Sequence, residues 1–361
     1  MNEAISNQPQ KGRGAVSNAR SERFTALQRE RSDDGWGTAE EDMAESPDTV
    51  VETDKSRKII TRNQSPDVPF DRSINPYRGC EHGCVYCFAR PTHAYLDLSP
   101  GLDFETRIFA KPHAADLLRK ELADPRYVPD VITLGANTDP YQPVERRLGI
   151  TRQILEVLAE AKHPVCIVTK SATVLRDSDI LAGMARENLV RVMVSVTTLD
   201  RQLARNLEPR AATPQRRLAA LQGLAEAGVA AGVLAAPMIP ALNDHEVERI
   251  LAASAEAGAQ SAGYVLLRLP HEIKGLFTEW LATHYPERKD RVLNLVRQNR
   301  GGSLYDSTWG ARLKGTGKYA SLLQHRFELA CKKHGLNGHR WDLETGLFRA
   351  PERDGRQMSL L

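Results

Sequence analysis

Three of the chain's five cysteines lie within eight residues, in the segment CEHGCVYC, as Cys80, Cys84 and Cys87. Cysteine thiolates bind zinc and iron–sulfur clusters, whereas five cysteines in 361 residues are too few, and an odd number, for a disulfide framework. A structural zinc ion normally takes four protein ligands. A four-iron cluster held by only three thiolates instead keeps one iron open to a cofactor or substrate. The spacing therefore favours a cluster with a vacant coordination position.

Zinc is the alternative interpretation of this segment. Its fourth ligand would come from one of three side chains: His82, His93 or Cys166. Gly79 and Gly83 suit a metal-binding loop, because glycine lets the backbone fold closely around an inorganic core.

The composition is that of a globular protein in water, with 41% hydrophobic and 26% charged residues, and this length predicts one large domain with tails. There is no run of about 18 apolar residues. The first residues, MNEAISNQPQKGRG, lack the apolar segment and cleavage site of a signal peptide. We therefore expect a cytoplasmic protein without a membrane partner. The formal net charge of +3 permits a nucleic-acid partner but does not require one.

The N-terminal part of the chain differs in charge pattern from the rest. Residues 11–31 are rich in lysine and arginine, and residues 33–54 are rich in aspartate and glutamate. A block of one charge sign followed by a block of the other, with little apolar periodicity, is typical of disorder. We expect residues 1–57 to form a disordered arm.

After this arm the chain alternates between short apolar runs and amphipathic segments. β-Branched apolar runs predict strands in six places: near residues 74–79, and at 130–135, 163–170, 190–197, 229–237 and 261–270. Helical periodicity predicts helices between them. Nearly continuous apolar strands that alternate with helices indicate a parallel sheet covered by helices.

Six βα units are too few to close an eight-stranded barrel. We therefore predict an α/β fold in which residues 58–300 form a partial, open (βα)6 barrel, with a doubly wound sheet as the alternative. In either fold functional groups collect at the carboxyl ends of the strands. The cysteine loop, which follows the first strand, should lie at that end.

Beyond residue 300 the alternation stops. Residues 301–350 predict a C-terminal helical extension, in which a glycine-rich loop precedes one basic amphipathic helix, Tyr319–His334. Basic side chains are interleaved there with aromatic ones, so the extension is either a surface for a polyanion or a lid on the open side of the barrel. Residues 351–361 predict a flexible tail.

The CxxxCxxC spacing, with the aromatic Tyr86 before the last cysteine, resembles the signature of the radical SAM superfamily. That superfamily has a partial (βα)6 barrel with this motif after the first strand, in agreement with the fold predicted from periodicity. The segments SINPYRGCEHGCVYCFAR, NTDPYQPVE, LEPRAATPQRRLAAL and APMIPALND resemble a bacterial branch related to the spore photoproduct lyases and labelled DNA repair photolyase-like. The resemblance covers roughly residues 58–300.

The resemblance implies an enzyme with two cofactors, a 4Fe–4S cluster and S-adenosylmethionine (SAM). Cys80, Cys84 and Cys87 would hold the cluster, and SAM would chelate the open iron through its amino and carboxylate groups. An electron from a reductant such as flavodoxin or ferredoxin would cleave SAM into methionine and a 5′-deoxyadenosyl radical. The radical would abstract hydrogen from the substrate.

The resemblance also implies that SAM is bound at the carboxyl ends of the strands. Its carboxylate would be bound by Lys170, with Arg210 as a second candidate. The ribose hydroxyls would be met by Ser195 and Thr197. Tyr86 would pack against the adenine.

The loop GANTD, after the second predicted strand, would meet the methionyl end of SAM through Asn137 and Thr138. Here the chain departs from the spore photoproduct lyases, which carry a hydrogen-donor cysteine near the position of Asn137. An amide cannot return a hydrogen atom to a product radical. Cys166 is expected in the core and Cys331 on the C-terminal helix, so neither takes that role. We do not expect a thymine-dimer lyase of the spore type.

Three functions stay open at this point. The chain is a radical SAM enzyme that acts on a nucleic acid, in repair or modification; or such an enzyme acting on a peptide or small metabolite; or a non-catalytic binding module stabilised by zinc or a cluster. The segment QMSLL, Gln357 to Leu361, resembles the short peptides by which bacterial repair and replication proteins bind the DNA sliding clamp. The clamp is therefore a candidate partner and DNA a candidate substrate.

Overall fold

The computed structural model describes residues 9–19, 21, 23, 48–338 and 342–352. Within these ranges, no helix is both long enough and apolar enough to cross a membrane. The candidate docking peptide, Gln357 to Leu361, lies outside the described residues, as does most of the predicted N-terminal arm.

Six parallel strands form the main sheet: β1 (Arg72–Ile74), β2 (Ile132–Leu134), β3 (Val165–Thr169), β4 (Val190–Ser195), β5 (Ala231–Met238) and β6 (Ser261–Leu266). Their order in space follows the sequence, and the antiparallel strand Ile60–Arg62 pairs with the free edge of β1. Right-handed crossovers in this order place the connecting helices on one face. The predicted partial, open (βα)6 barrel is confirmed. The doubly wound alternative is wrong, because it requires strands to be added on both sides of the first one.

Eight longer helices are found in the described part of the chain: α1 (Ala114–Leu122), α2 (Ile150–Glu160), α3 (Ser178–Ala185), α4 (Pro214–Glu226), α5 (Val247–Glu256), α6 (Ile273–His284), α7 (Lys289–Gln298) and α8 (Gly317–Lys333). Shorter α-helical segments are Asp103–Thr106, Glu145–Leu148, Arg201–Leu207 and Ala311–Lys314. Segments of 3₁₀ helix are Arg90–Leu96, Ala172–Asp177 and Asp244–Glu246.

Helix α4 illustrates how local sequence sets helix ends. The Thr213 hydroxyl accepts a hydrogen bond from the backbone N–H of Arg216 at 3.4 Å, and Pro214 takes the first helical position. After the helix, Gly228 adopts a φ of +72°, a conformation that favours glycine. By contrast, the helical segment between β2 and β3 is interrupted at Gly149, which separates Glu145–Leu148 from α2.

Alternate residues of the strands face different environments. In β3, Val165 and Ile167 are fully buried in the core between sheet and helices. Cys166 and Val168 lie on the opposite face and are partly exposed, because that face borders the open barrel interior and leads to Lys170. Cys166 was expected in the apolar core; the structure instead places it on the inner face of the barrel.

Residues 9–19 and 48–57, which belong to the N-terminal arm, are among those that the structure describes, and some of them have defined contacts. Val50–Thr53 pairs in parallel with the strand Arg107–Ala110, which pairs in turn with Tyr77–Arg78. Ala15 and Val16 are buried. The charge pattern did not reveal these contacts, because they depend on residues far away in the sequence.

The predicted C-terminal helix is confirmed as α8. It packs against α5 and the outer side of β6, where the ring centroids of Phe327 and Tyr264 lie 4.7 Å apart. Arg326 forms an ion pair with Glu248 at 2.7 Å. Helix α8 therefore covers the edge of the barrel rather than its mouth.

Candidate cluster and cofactor site

The cysteine loop follows β1 and depends on two glycines. Gly79 and Gly83 have φ values of +79° and +68°. A methyl group on Gly79 would lie 2.9 Å from the carbonyl oxygen of Arg107, and one on Gly83 would lie 2.7 Å from a carboxylate oxygen of Glu105. Both the conformation and the lack of space therefore require glycine. The N–H of Cys80 donates to the carbonyl of Phe104 at 2.9 Å.

Arg90 is fully buried and forms hydrogen bonds to the backbone of this loop. Its guanidinium donates to the carbonyl oxygens of Cys84 and Gly83, at 2.8 and 3.0 Å, and to Glu105 at 2.5 Å. It also donates to two carbonyls near residue 100. Charge-assisted bonds to several carbonyls at once help to fix the shape of the loop.

Glu105 links the loop to the N-terminal segment. Its two carboxylate oxygens accept hydrogen bonds from the N–H groups of Gly14 and Ala15, at 2.9 and 2.8 Å. Gly14 lies so close to the loop that a methyl group on it would be 1.7 Å from the carbonyl oxygen of Gly83. The ordered N-terminal segment is thus part of the support of the cysteine loop.

The three thiols of the loop are not in disulfides and are available as ligands. All are free, Cys80 and Cys84 are buried and Cys87 is half-buried. Burial raises the pKa of all three, that of Cys84 to about 12, so they ionise only when a cation binds them. In the described part of the chain, no three His, Cys, Asp or Glu side chains are grouped to hold one metal ion.

Of the three candidate fourth zinc ligands, His93 and His82 have polar contacts of their own, and Cys166 lies on a strand. The Nε2–H of His93 donates to the carbonyl of Arg107 at 3.0 Å, and burial lowers the pKa of this histidine to about 4. The Nδ1 of His82 lies 3.3 Å from a carboxylate oxygen of Asp139. Cys166 lies on the inner face of β3. A site with three protein ligands and an open position is therefore what this loop provides.

A buried polar network lies beside Cys84. Glu208 accepts hydrogen bonds from the hydroxyls of Tyr86 and Thr197, the latter at 2.6 Å, and forms an ion pair with Arg217. Arg217 also donates to the carbonyl of Ser195 at 3.1 Å. Burial raises the pKa of Tyr86, and the charge of Glu208 raises it further, so this tyrosine stays protonated. The network fixes the ring of Tyr86 at the end of β4.

Lys170, at the end of β3, lies in the same region. Its Nζ is 5.9 Å from the ring centroid of Tyr86. Burial disfavours its charge, but Cys84 and Glu208 outweigh that effect and raise its pKa. No hydrogen bond or ion pair to this ammonium group is found among the described residues, although its backbone N–H donates to Asp139 at 2.7 Å. An anionic ligand can therefore bind here.

The structure places the other predicted SAM contacts differently. Thr197 is fully buried and its hydroxyl is occupied by Glu208. The Thr138 hydroxyl donates to the carbonyl of Tyr77 at 2.8 Å, so it holds the loop. The side chain of Asn137 is exposed.

Arg210 is also engaged away from Tyr86 and Lys170. Its guanidinium forms an ion pair with Glu81 at 3.0 Å and donates to the hydroxyl of Thr49 at 3.1 Å. Tyr86, Lys170 and Ser195 thus lie together at the strand ends, whereas Arg210 belongs to a different surface.

Four functional residues were missed in the sequence: Arg90, Glu105, Glu208 and Arg217. A signal existed for Arg217, because it lies on the apolar face of α4 with Ala220, Leu221 and Leu224, all of them buried. An arginine on such a face requires a buried carboxylate partner. Nothing in the local sequence indicates that Glu208 is that partner.

Comparison with known proteins agrees with this geometry. The sequence model of the radical SAM superfamily matches residues 74–253. The chain belongs to the radical SAM superfamily. It is 40% identical over 233 residues to an uncharacterized protein of Mycobacterium bovis, covering 64% of this chain and 68% of that one. It is 26% identical to an uncharacterized protein of Methanocaldococcus jannaschii, covering 66% and 85%.

Among solved structures, this radical SAM protein is similar to spore photoproduct lyase complexed with dinucleoside spore photoproduct. The TM-score is 0.57 at 16% sequence identity, and 80% of each chain is covered. A variant of that lyase with bound AdoMet matches equally well, also at 16% identity and 80% coverage of each chain. The chain is thus an enzyme, and its superfamily implies a 4Fe–4S cluster and SAM. The hypothesis of a non-catalytic module is wrong.

Proposed function

We propose that this radical SAM enzyme acts on a nucleic acid, in repair or modification. The main support for a SAM-dependent reaction is the position of Lys170. Its ammonium group lies beside Cys84 and Tyr86 and is open to an anionic ligand. The nucleic-acid substrate is supported by the fold, which resembles that of a lyase complexed with a dinucleoside photoproduct.

The residues around the cysteine loop have separate tasks. When bound, the 4Fe–4S cluster supplies the electron that cleaves the S–C5′ bond of SAM. Lys170 binds the SAM carboxylate by a charge-assisted hydrogen bond. Ser195 binds the ribose, and Tyr86 presents its ring to the adenine while Glu208 holds its hydroxyl. The three cysteines hold the cluster, and the fourth iron is left for SAM.

Apolar residues exclude water from this region. Leu207 and Ile239 are fully buried in one cluster with Cys84 and Tyr86, and Leu203 lies with them. A dry site strengthens the ionic contacts to SAM and protects a reactive radical from side reactions.

The substrate is expected to differ from a spore photoproduct. Asn137 is exposed at the end of β2, where the resemblance would require a thiol that returns hydrogen. Either the product radical takes a hydrogen atom from a group other than residue 137, or the reaction ends without the return of a hydrogen atom. We therefore propose repair or modification of a nucleic acid by a different radical reaction.

The test is anaerobic reconstitution followed by product analysis. About four irons per chain, broad absorbance in the visible range and 5′-deoxyadenosine formed from SAM and dithionite are expected. The reconstituted enzyme is then incubated with irradiated and unirradiated DNA and with RNA, and the digested products are separated by mass. A colourless protein with stoichiometric zinc would contradict the cluster. Turnover of a peptide but of no nucleic acid would contradict the proposed substrate.

A further inference from the structure

A cavity borders the cysteine loop at His82 and the segment that directly follows Lys170. It has a volume of about 180 Å³ and is lined by the loop residue His82 together with residues that follow β2, β3 and β4. None of the three cysteines, Tyr86 or Lys170 lines it. Its lining therefore differs from the residues proposed above to bind SAM, although Ser171 directly follows Lys170.

Three arginines line this cavity: Arg146, Arg210 and Arg216. No aspartate or glutamate lines it. Arg210 is ion-paired with Glu81 at 3.0 Å. Arg146 and Arg216 are exposed, and neither forms an ion pair with a described residue. The lining thus carries two positive charges without a neutralising carboxylate.

Hydrogen-bond donors supplement these charges. Thr213 lines the cavity and is the N-cap of α4, a helix of 13 residues. The positive end of that helix dipole therefore lies at the cavity. Ser171 and Thr173, which carry hydroxyl groups, also line the cavity. Since the Ser171 hydroxyl oxygen accepts from the N–H of Thr173 at 3.2 Å, its own O–H is available to donate.

We propose that this cavity binds a phosphate group. Arginine guanidinium groups bind phosphate oxygens in pairs, and a helix N-terminus with hydroxyl donors completes such a site. The volume is below that of a site for a whole drug-sized ligand, which fits one phosphate with part of its ester group.

The location gives the phosphate site a role in the reaction. His82 lies between Cys80 and Cys84, and its carbonyl oxygen accepts the N–H of Arg210 at 3.3 Å. A phosphate held here fixes the remainder of its molecule close to the cysteine loop. The phosphate belongs either to a nucleic-acid backbone or to a free nucleotide. Binding of a backbone phosphate names part of the substrate of the proposed function and therefore rests on that function. Binding of a phosphate group by the cavity does not depend on it.

The test compares R146Q/R216Q with the control R147Q. Arg147 is exposed and lies on the same short helix as Arg146, but it does not line the cavity. Binding of thymidine 5′-monophosphate, of thymidine and of a labelled single-stranded oligonucleotide is measured by calorimetry and fluorescence anisotropy, with the reconstituted protein at several salt concentrations.

The wild type and R147Q should bind thymidine 5′-monophosphate more tightly than thymidine. R146Q/R216Q should lose this preference with at least about a tenfold loss of affinity, as expected for the loss of charged hydrogen bonds. Equal losses for the monophosphate and the oligonucleotide indicate a nucleic-acid backbone phosphate, and a loss for the monophosphate alone indicates a nucleotide.

Three results would overturn the inference: no preference for the monophosphate in the wild type, an equal loss in R147Q, or displacement of the monophosphate by SAM. Iron content and substrate-free SAM cleavage are measured on the same wild-type and R147Q preparations. Absence of iron or of SAM cleavage would count against the proposed function. Normal iron content and SAM cleavage without phosphate binding would count against the phosphate site alone.

Discussion

The residues of the site divide into those that bind and those that hold the binding residues in place. Two buried ion pairs, Arg90–Glu105 and Arg217–Glu208, belong to the second group. A buried ion pair adds little net stability, because its desolvation cost offsets its attraction. Each pair here instead connects distant backbone segments next to the cysteines. We infer that both are present to fix geometry.

The first prediction concerns the cysteines. Substituting alanine for any of Cys80, Cys84 and Cys87 should abolish iron retention and the formation of 5′-deoxyadenosine, because two thiolates leave two irons exposed. Cys166→Ala and Cys331→Ala are the controls, since neither residue lies in the loop. Iron analysis and chromatography of the reaction products measure the effect. A Cys84→Ala protein that still forms 5′-deoxyadenosine would show that the assignment is wrong.

The second prediction concerns SAM binding. Lys170→Ala and Ser195→Ala should each weaken SAM affinity by about 1–3 kcal/mol, through the loss of a hydrogen bond to a charged or buried polar group, without a change in iron content. Lys162→Ala is the control, because Lys162 forms a surface ion pair with Glu187. Equilibrium dialysis against labelled SAM gives the affinities. Unchanged affinity in both variants would place SAM elsewhere in the barrel mouth.

At the level of elements, the sequence predicts what depends on local pattern. Four of the six predicted ranges contain the observed strands, and a fifth, 229–237, ends one residue before β5 does, because each of these five carries a continuous apolar run. The first is different: β1 has only three residues, and Tyr77–Arg78 belongs to another sheet. The cysteine ligands are visible from their spacing, whereas Glu208 and the N-terminal segment are not. Gly14 and Glu105 are 91 residues apart, and no local pattern reports such a contact.

The third prediction tests the N-terminal segment. Gly14→Ala places a methyl group where the carbonyl oxygen of Gly83 lies, so it should displace the segment from the cysteine loop. We expect slower cluster reconstitution, faster iron loss and a melting temperature lower by a few degrees, about 1–3 kcal/mol in stability. The control is Gly183→Ala in α3, whose new methyl group meets nothing closer than 3.8 Å. Identical iron loss in both variants would refute the supporting role.

The fourth prediction concerns acid stability at the start of β3. His163 is fully buried between Tyr127 and Phe348, and burial lowers its pKa from 6.5 to about 4. The unfolded chain binds this proton more readily, so stability should fall as the pH drops from about 6.5 to 4, by up to about 3 kcal/mol. Urea unfolding at several pH values measures it. His163→Phe should reduce this slope without abolishing it, because burial lowers the pKa of His93 in the same way, and an unchanged slope would exclude His163 as a source.

For the whole molecule, the described C-terminal residues lie far from the barrel mouth. The N–H of Glu344 donates to the carbonyl of Asn188, and that of Arg349 to the carbonyl of Ala161, both at 2.9 Å. Asn188 and Ala161 come just before β4 and β3, at the amino ends of the strands. Glu344 and Arg349 therefore lie at the opposite end of the barrel from the cysteine loop, and a partner bound at that end would leave the mouth open to substrate.

The last prediction uses this arrangement. QMSLL, Gln357 to Leu361, has a glutamine and two leucines spaced as in peptides that bind the DNA sliding clamp. A clamp bound there would raise the local concentration of enzyme on DNA through tethering, which a net charge of only +3 does not achieve. A titration with the cognate clamp should show binding by the full chain and none by a chain that ends at Arg356. Both proteins should retain the same iron content and the same substrate-free SAM cleavage, because the deletion removes none of the residues proposed to hold the cluster or SAM. Equal clamp binding by both chains, or by neither, would remove this argument for DNA and leave the phosphate cavity to be explained by RNA or a nucleotide.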